Sequence, residues 1–592
     1  MRGRFSAALV TGALVATIGS GVALALPVAA ASRAAAPSRT PAEPLSHKMG
    51  SVQQQLTTGR ASRASATLPL LASSAPCNSN WSAVSSPNMN AGRNLLTGVA
   101  AIAPNDVWAV GTFVNGSLVY QTLTEHWDGS TWSVVPTPNV GPGNNLFNAV
   151  FAIGAADVWA VGLWRPGNST TGAQPLTEHW NGNGWTIIPT PLAPNTSTPL
   201  YGVGASGSND VWTTGITIDY PIQPTGPRAH AYALHWNGSN WSSAPMPSVV
   251  APFGGPGVDV MGLSGVKVIS PTDAWAVGDG QDYSGSTPAS PDMAFIEHWD
   301  GVTWTQSQPP PPTHPSGDFL VDIQGTVGDL WAVGGKNVTY QSASDYALSE
   351  HWNGATWTEV AVPPPSPAAE SANLYALSYV TGSNVYAVGA TASNPGTAQE
   401  LDQPLIEEWN GSVWTQVIGP PAPSGNDGLN SVAALSASDV WSVGFMTVNG
   451  YAQTLTENYC APPTVTNVMP STGSAGTSVV ITGTRFSRAI DVEFGATPAF
   501  SFHVDSDTQI TAVSPGHKAG TVDITVTVQG TSATSSADRF TYVGSISATA
   551  PGGSGKFQPR TSYPPPVRLP PPSPTAAPRH FAAASRSAPI PV

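Results

Sequence analysis

One unit recurs seven times along this chain, and a period of this kind points to a propeller or a solenoid. Its centre reads Asp106-Val107-Trp108-Ala109-Val110-Gly111. It returns at Asp157-Val158-Trp159, Asp210-Val211-Trp212, Asp273-Ala274-Trp275, Asp329-Leu330-Trp331, Asn384-Val385-Tyr386 and Asp439-Val440-Trp441. From 108 to 441 the aromatic positions are 51, 53, 63, 56, 55 and 55 residues apart. Each unit reads as four short strands, A to D; in the first these are 96–102, 107–113, 123–127 and 132–135. Strands C and D are joined by Asp128-Gly129, and equivalent Asn-Gly or Asp-Gly pairs stand at 181, 237, 300, 353 and 410. Such a pair between alternating apolar runs signals a tight hairpin, because a type I′ turn needs positive φ at both central residues. A four-stranded unit at this period fits a propeller blade. The expected fold class is all-β: a seven-bladed β-propeller with a second β-domain behind it. Nineteen of the 20 Trp occupy repeat positions on strands B, C or D, which predicts packing between neighbouring blades.

The ends of the repeat predict how the ring closes. The seventh unit stops at Cys460 without a D strand, while an orphan D strand, 78–84, precedes the first unit. The N-terminal strand therefore completes the last blade. The only two cysteines, Cys77 and Cys460, flank that seam where other blades carry the C–D turn. In a secreted chain this permits a disulfide. It would close a 383-residue loop, for which chain-entropy estimates give roughly 5 kcal/mol as an upper figure. The alternative is two free buried thiols.

In its period and its strand-C and strand-D aromatics, 77–460 resembles the Kelch and galactose-oxidase-like propellers. It departs from them in lacking a regular Gly-Gly after strand B; only Gly334-Gly335 has one. The resemblance implies fold and carries over no catalytic residue. Galactose-oxidase chemistry needs copper and a cysteine–tyrosine crosslink, and both cysteines stand at the seam. Sialidase chemistry needs an Arg triad, whereas Arg93, Arg165 and Arg228 fall in loops of different blades.

After Cys460 the pattern changes to short alternating strands between Gly and Pro turns, including 479–483, 492–495, 510–515, 522–526 and 540–542. This predicts an Ig-like β-sandwich over 461–543, and the ordered set resembles an IPT/TIG domain. That resemblance implies a spacer or interaction module. At the N-terminus, Arg2 and Arg4 precede an apolar stretch closed by Pro27 and by Ala29-Ala30-Ala31, which reads as a secretory signal peptide over 1–31. The alternative is an anchor, although Gly12, Gly19 and Gly21 weaken the stretch. Residues 32–76 read as a disordered linker and 544–592 as a disordered Pro-rich tail. With Arg at 16 against Lys at 5, the composition hints at a GC-rich bacterium.

Charge narrows the function. The chain carries 21 basic and 35 acidic residues, net −14, which argues against nucleic acid as a partner. Within 77–460 there are 28 acidic and 5 basic residues, net −23, and half of the acids are repeat positions. The repeated strand-C histidines, His126, His179, His235, His298 and His351, lie in different blades and do not converge on a metal. The same holds for Glu125, Glu178, Glu297, Glu350, Glu407 and Glu457 as an acid/base pair. No zinc motif, phosphate loop or nucleophile elbow is present, and no dense carboxylate loop marks a Ca²⁺ site. The expectation is no catalytic residue, no metal and no cofactor.

The variable loops join B to C and D to A, so they share one face of the ring, where binding residues on a rigid scaffold usually lie. The candidate ligand-binding residues are Trp164 and Arg165 after strand B of blade two, Tyr220 and Arg228 in the matching loop of blade three, and Asp282 and Tyr283 in that of blade four. Exposed aromatics there suit stacking on sugars or anchoring a protein. For Trp164 the alternative is a cap on its blade. The sequence thus predicts a secreted, extracellular binding or adhesion protein, cell-wall associated or free, with no membrane insertion after signal cleavage. Its ligand is a glycan or a surface protein; a glycan-active enzyme and a passive wall spacer are the alternatives.

Overall fold

Alternating apolar residues, broken every few positions by turn residues, leave each strand able to bury one or both faces only against another sheet. In the computed structural model the chain answers with seven successive four-stranded antiparallel blades. Residues 77–543 are described apart from position 78 and several internal segments, the longest being 220–228, 248–259, 338–344 and 394–400. The predicted signal peptide (1–31), linker (32–76) and tail (544–592) lie outside the described residues.

Blade one comprises Asn94–Ala103, Asp106–Val114, Tyr120–Trp127 and Trp132–Val134, paired in the order A-B-C-D. The other blades keep this order, and neighbouring A strands touch around the full circle, including blade seven against blade one. Blades three and four are further joined by one parallel bridge between Ala229 and Val260. The C–D turns depart from the expected type I′ hairpin: Trp127 pairs with Trp132, so four residues, 128–131, make the loop, and of the Asp-Gly or Asn-Gly pair only the glycine holds positive φ, between 88° and 96°. The Asp takes the other role, its Oδ1 accepting from the Ser130 and Thr131 amides at 2.8 Å, which caps the turn without a left-handed residue at 128. The repeated glycine of strand B has a different cause. A Cβ on Gly111 would lie 1.9 Å from the Leu95 carbonyl oxygen, because strand A is bulged there against strand B.

Tryptophans clamp the blades together. The strand-B Trp of one blade meets the strand-C and strand-D Trp of the next: Trp108 lies 4.8 Å from Trp180 and 5.4 Å from Trp185, ring centre to ring centre. Trp159, Trp212, Trp275 and Trp331 repeat the arrangement, and Trp441 of blade seven meets Trp127 and Trp132 of blade one. At the remaining interface, blade six against blade seven, Tyr386 and Trp81 share one buried cluster with Tyr459 packed against it.

The seam is closed as the two ends predict. Asn80–Val84 pairs antiparallel with Tyr451–Cys460, Trp81 opposite Tyr459. Cys77 and Cys460 form a disulfide with a Cα–Cα distance of 4.6 Å, so a covalent bond stands where the other blades have a turn.

Behind the seam, Thr464–Met469, Ser478–Thr484, Gln509–Val513 and Ser501–Ser506 form one sheet of a sandwich. Thr472–Gly473, Arg539–Tyr542, Gly520–Thr527, Asp491–Phe494 and Thr497–Pro498 form the other. Ile481, Phe486, Phe494, Ile510 and Phe540 fill the space between them. The sandwich rests on the seam: a Cβ on Gly530 would come within 2.8 Å of Cys77 Cβ.

Candidate functional site

The two faces of the ring differ in kind. On the face of the A–B and C–D turns the same constellation recurs. His126 Nε2 lies 2.9 Å from Asp106 Oδ1, and its ring lies against Trp108 with centroids 4.5 Å apart. Equivalent pairs are His179 with Asp157, His235 with Asp210, His298 with Asp273 and His351 with Asp329, at 2.7 to 3.0 Å. Each histidine is spent on its own blade. The aspartates also reach the next blade: Tyr379 of blade six donates its hydroxyl to Asp329 Oδ2 at 2.8 Å. These groups order the turns and lock blade to blade. Among the described residues no group of three or more His, Cys, Asp or Glu is placed to hold a metal ion.

Six strand-C glutamates are buried, none more than 3% exposed. Glu178 accepts a hydrogen bond from the Thr137 hydroxyl of blade one. Burial pushes the carboxyls of Glu178, Glu297, Glu350, Glu407 and Glu457 up to about 8, and that of Glu125 well above its ordinary value. They are dispersed one to a blade, with Leu234 standing in blade three, and so form no pair.

The face of the B–C and D–A loops repeats only part of its contacts: Asn94 and Asn145 each accept from the amide five residues earlier at the start of strand A, while the ends of strand B differ from blade to blade. Trp164 is the last residue of strand Asp157–Trp164 rather than a loop residue, paired with Asn145 and Gln174. Its side chain is half-buried against the cluster that contains Phe147 and Leu176. The strand runs on because Asn145 and Gln174 still offer backbone partners on both sides. Arg165 follows, its amide donating to the Asn144 carbonyl at 2.7 Å. Tyr220, Arg228 and Asp282 lie outside the described residues. Of Tyr283 only the backbone is described, in a short hairpin of Tyr283–Ser284 with Thr287–Pro288.

Two other features stand out. On the inner strands, Lys267 of blade four is a half-buried cation: burial lowers its pKa and the carboxylate of Asp322 in blade five opposes that shift. On the loop face, between blades five and six, a cavity of about 280 Å³ opens beside Lys336, Tyr346 and Glu359. Lys336 at the end of strand B and Glu359 on strand D form an ion pair.

A family model for the IPT/TIG domain matches residues 463–542. The C-terminal sandwich is an IPT/TIG domain. No curated protein matches the chain. Among solved structures, YCF48 bound to D1 peptide is similar at 16% identity and a TM-score of 0.37, with 66% of this chain and 100% of that chain covered. YCF48 from Cyanidioschyzon merolae is similar at 15% identity and a TM-score of 0.38, over 64% of this chain and 98% of that one. A fungal alcohol oxidase of the AA5 family, in complex with copper, shows 10% identity and a TM-score of 0.36, covering 78% and 98%.

Within the IPT/TIG domain, Arg485 turns toward the propeller. Its Nη1 donates to the Pro462 carbonyl at 3.0 Å in the connection, and its charge acts on the Tyr386 and Tyr459 hydroxyls. Two arrangements escaped the sequence reading. The Asp–His pairing has a visible signal: blade six replaces both members, with Asn384 and Glu408, and residues that change together usually touch. The cavity has another: no other blade carries a charge at the positions of Lys336 or Glu359.

Proposed function

We propose that the chain is a secreted bacterial binding protein whose Kelch-like propeller holds a surface glycan or a cell-surface protein on its loop face, with the IPT/TIG domain as an attached interaction module. The observation that carries this reading is the asymmetry of the ring. The repeated Asp–His pairs of the turn face are engaged within the ring, ordering their own blade or reaching the next, whereas the unrepeated residues Trp164, Arg165, Lys336, Tyr346 and Glu359 all lie toward the loop face. A rigid ring with variable loops on one side supplies a preorganised platform, which lowers the entropic cost of binding. Tyr220, Arg228, Asp282 and Tyr283 belong to the same proposed surface by their place in the chain. The disulfide agrees with an oxidising compartment. In this reading there is no catalytic step.

The test is a glycan array and a pull-down from cell surfaces with the intact secreted protein, repeated with Trp164→Ala and Arg165→Ala. The expected result is a retained ligand whose affinity falls roughly tenfold or more in at least one variant, as for an interface anchor. Retention of nothing, or conversion of a retained glycan into product, overturns it.

A further inference from the structure

The cavity between blades five and six is built from parts that the repeat does not supply. Lys336 and Tyr346 face each other in register across strands B and C, and Glu359 comes from strand D. Ala372 and Leu405 of blade six and the prolines at 363–365 provide apolar walls. The side chains of Lys336 and Glu359 are 16% and 26% exposed, so the ion pair is largely shielded yet borders the cavity. Tyr346, by contrast, is 47% exposed and lines the same cavity.

These parts specify a chemistry. An ammonium beside a carboxylate offers a donor and an acceptor at a fixed separation. A pair of neighbouring hydroxyls can answer both at once, since each hydroxyl both donates and accepts. The aromatic face takes the C–H side of a ring, and the proline and alanine walls add apolar contact. Behind the ion pair stand the carboxyls of Asp318 and Glu350, both buried, and the charges of Lys336, Asp318 and Glu359 all act on Glu350. An anionic ligand would meet the Glu359 carboxylate, and a cationic one would compete with Lys336. A volume of about 280 Å³ lies near the small end of ligand pockets, enough for one ring rather than a chain.

We propose that this cavity is a subsite for one neutral pyranose unit, held by hydroxyl contacts to Lys336 and Glu359 and by stacking on Tyr346. The proposal rests on the reading of the loop face as a binding face and names the class of ligand it takes there.

Saturation-transfer NMR on the full secreted chain tests it, with the methyl pyranosides of glucose, galactose and mannose as probes and methyl glucuronide as the charged control. At least one neutral pyranoside is expected to receive saturation, with the glucuronide receiving none. Tyr346→Ala is expected to weaken that binding roughly tenfold, and Tyr346→Phe, which keeps the ring, to retain it. Because Tyr346 is exposed, thermal unfolding of Tyr346→Ala is expected to match the parent, which separates lost binding from lost fold. No transfer to any neutral probe, a preference for the glucuronide, or a signal unchanged in Tyr346→Ala each overturns the proposal. Array binding by the intact protein that persists in Tyr346→Ala removes this subsite and leaves the wider binding reading standing. Pyranoside transfer lost in Tyr346→Ala, without any surface ligand, does the reverse.

Discussion

The turn face and the loop face of the propeller are made by the same strands, yet they obey different rules. On the turn face His126, His179, His235, His298 and His351 repeat one contact with an aspartate of the same blade, and the tryptophans repeat one contact with the next blade. On the loop face the equivalent positions diverge: Trp164 in blade two becomes Lys336 in blade five. Repetition here marks the residues that hold the ring together. Departure from the repeat marks residues whose reason must be sought elsewhere. In a closed ring each blade needs the same interface with its neighbour, so the packing chemistry is copied around the circle. A ligand site needs only one or two blades, so its residues appear once.

That contrast predicts that changes on the turn side act on stability. The largest effect is expected from Trp441→Ala. Its side chain is fully buried between blade seven and blade one, at the interface next to the seam, and removal of a core Trp costs about 3–5 kcal/mol. Denaturant unfolding measures it, and a loss below about 1 kcal/mol would show that the Trp clamp is not what joins the blades. Next comes the disulfide. Cys77→Ser with Cys460→Ser is expected to cost about 2–5 kcal/mol while leaving the blades folded, because it frees the two ends of blade seven in the unfolded chain. An unchanged melting temperature would place ring closure wholly in the pairing of Asn80–Val84 with Tyr451–Cys460.

The last effect, which appears only as pH changes, belongs to the buried glutamates. Their folded pKa, pushed up to about 8, lies above the ordinary value of 4.5. A carboxyl shifted in this direction is neutral in the folded ring over that window, while the unfolded chain releases its proton. Its favourable contribution is therefore complete below 4.5 and is lost as pH rises through about 8. Stability should fall across this window. Glu407→Gln, which keeps the neutral shape, should flatten the fall, for which the rise from 4.5 to about 8 sets an upper figure of roughly 5 kcal/mol. A melting temperature that rises from acid to mildly alkaline pH would contradict the burial of these carboxyls as uncharged groups.

Much of this architecture was legible in one dimension because its causes are local or periodic. The Asn-Gly and Asp-Gly turns, the aromatic spacing and the orphan strand before unit one together imply blade number, strand order and closure, and the pairing of Trp81 with Tyr459 follows from them. The IPT/TIG domain is readable for the same reason, since its strands and turns fall in sequence order. Which side chains meet was less accessible. Asp106 and His126 are 20 residues apart and touch only because strands B and C pair in one register with both side chains at the same end. Trp164 reads as a loop residue from its place after the repeated core, but two neighbouring strands extend far enough to pair with it. The cavity lies at the limit of legibility: it needs Lys336 and Glu359 from blade five, Leu405 from blade six and the proline run between them. The sequence alone determines strands, turns and the number of blades, because backbone hydrogen bonding and turn geometry depend on near neighbours. The tertiary structure decides which residues share a surface, because that depends on how one blade is rotated against the next.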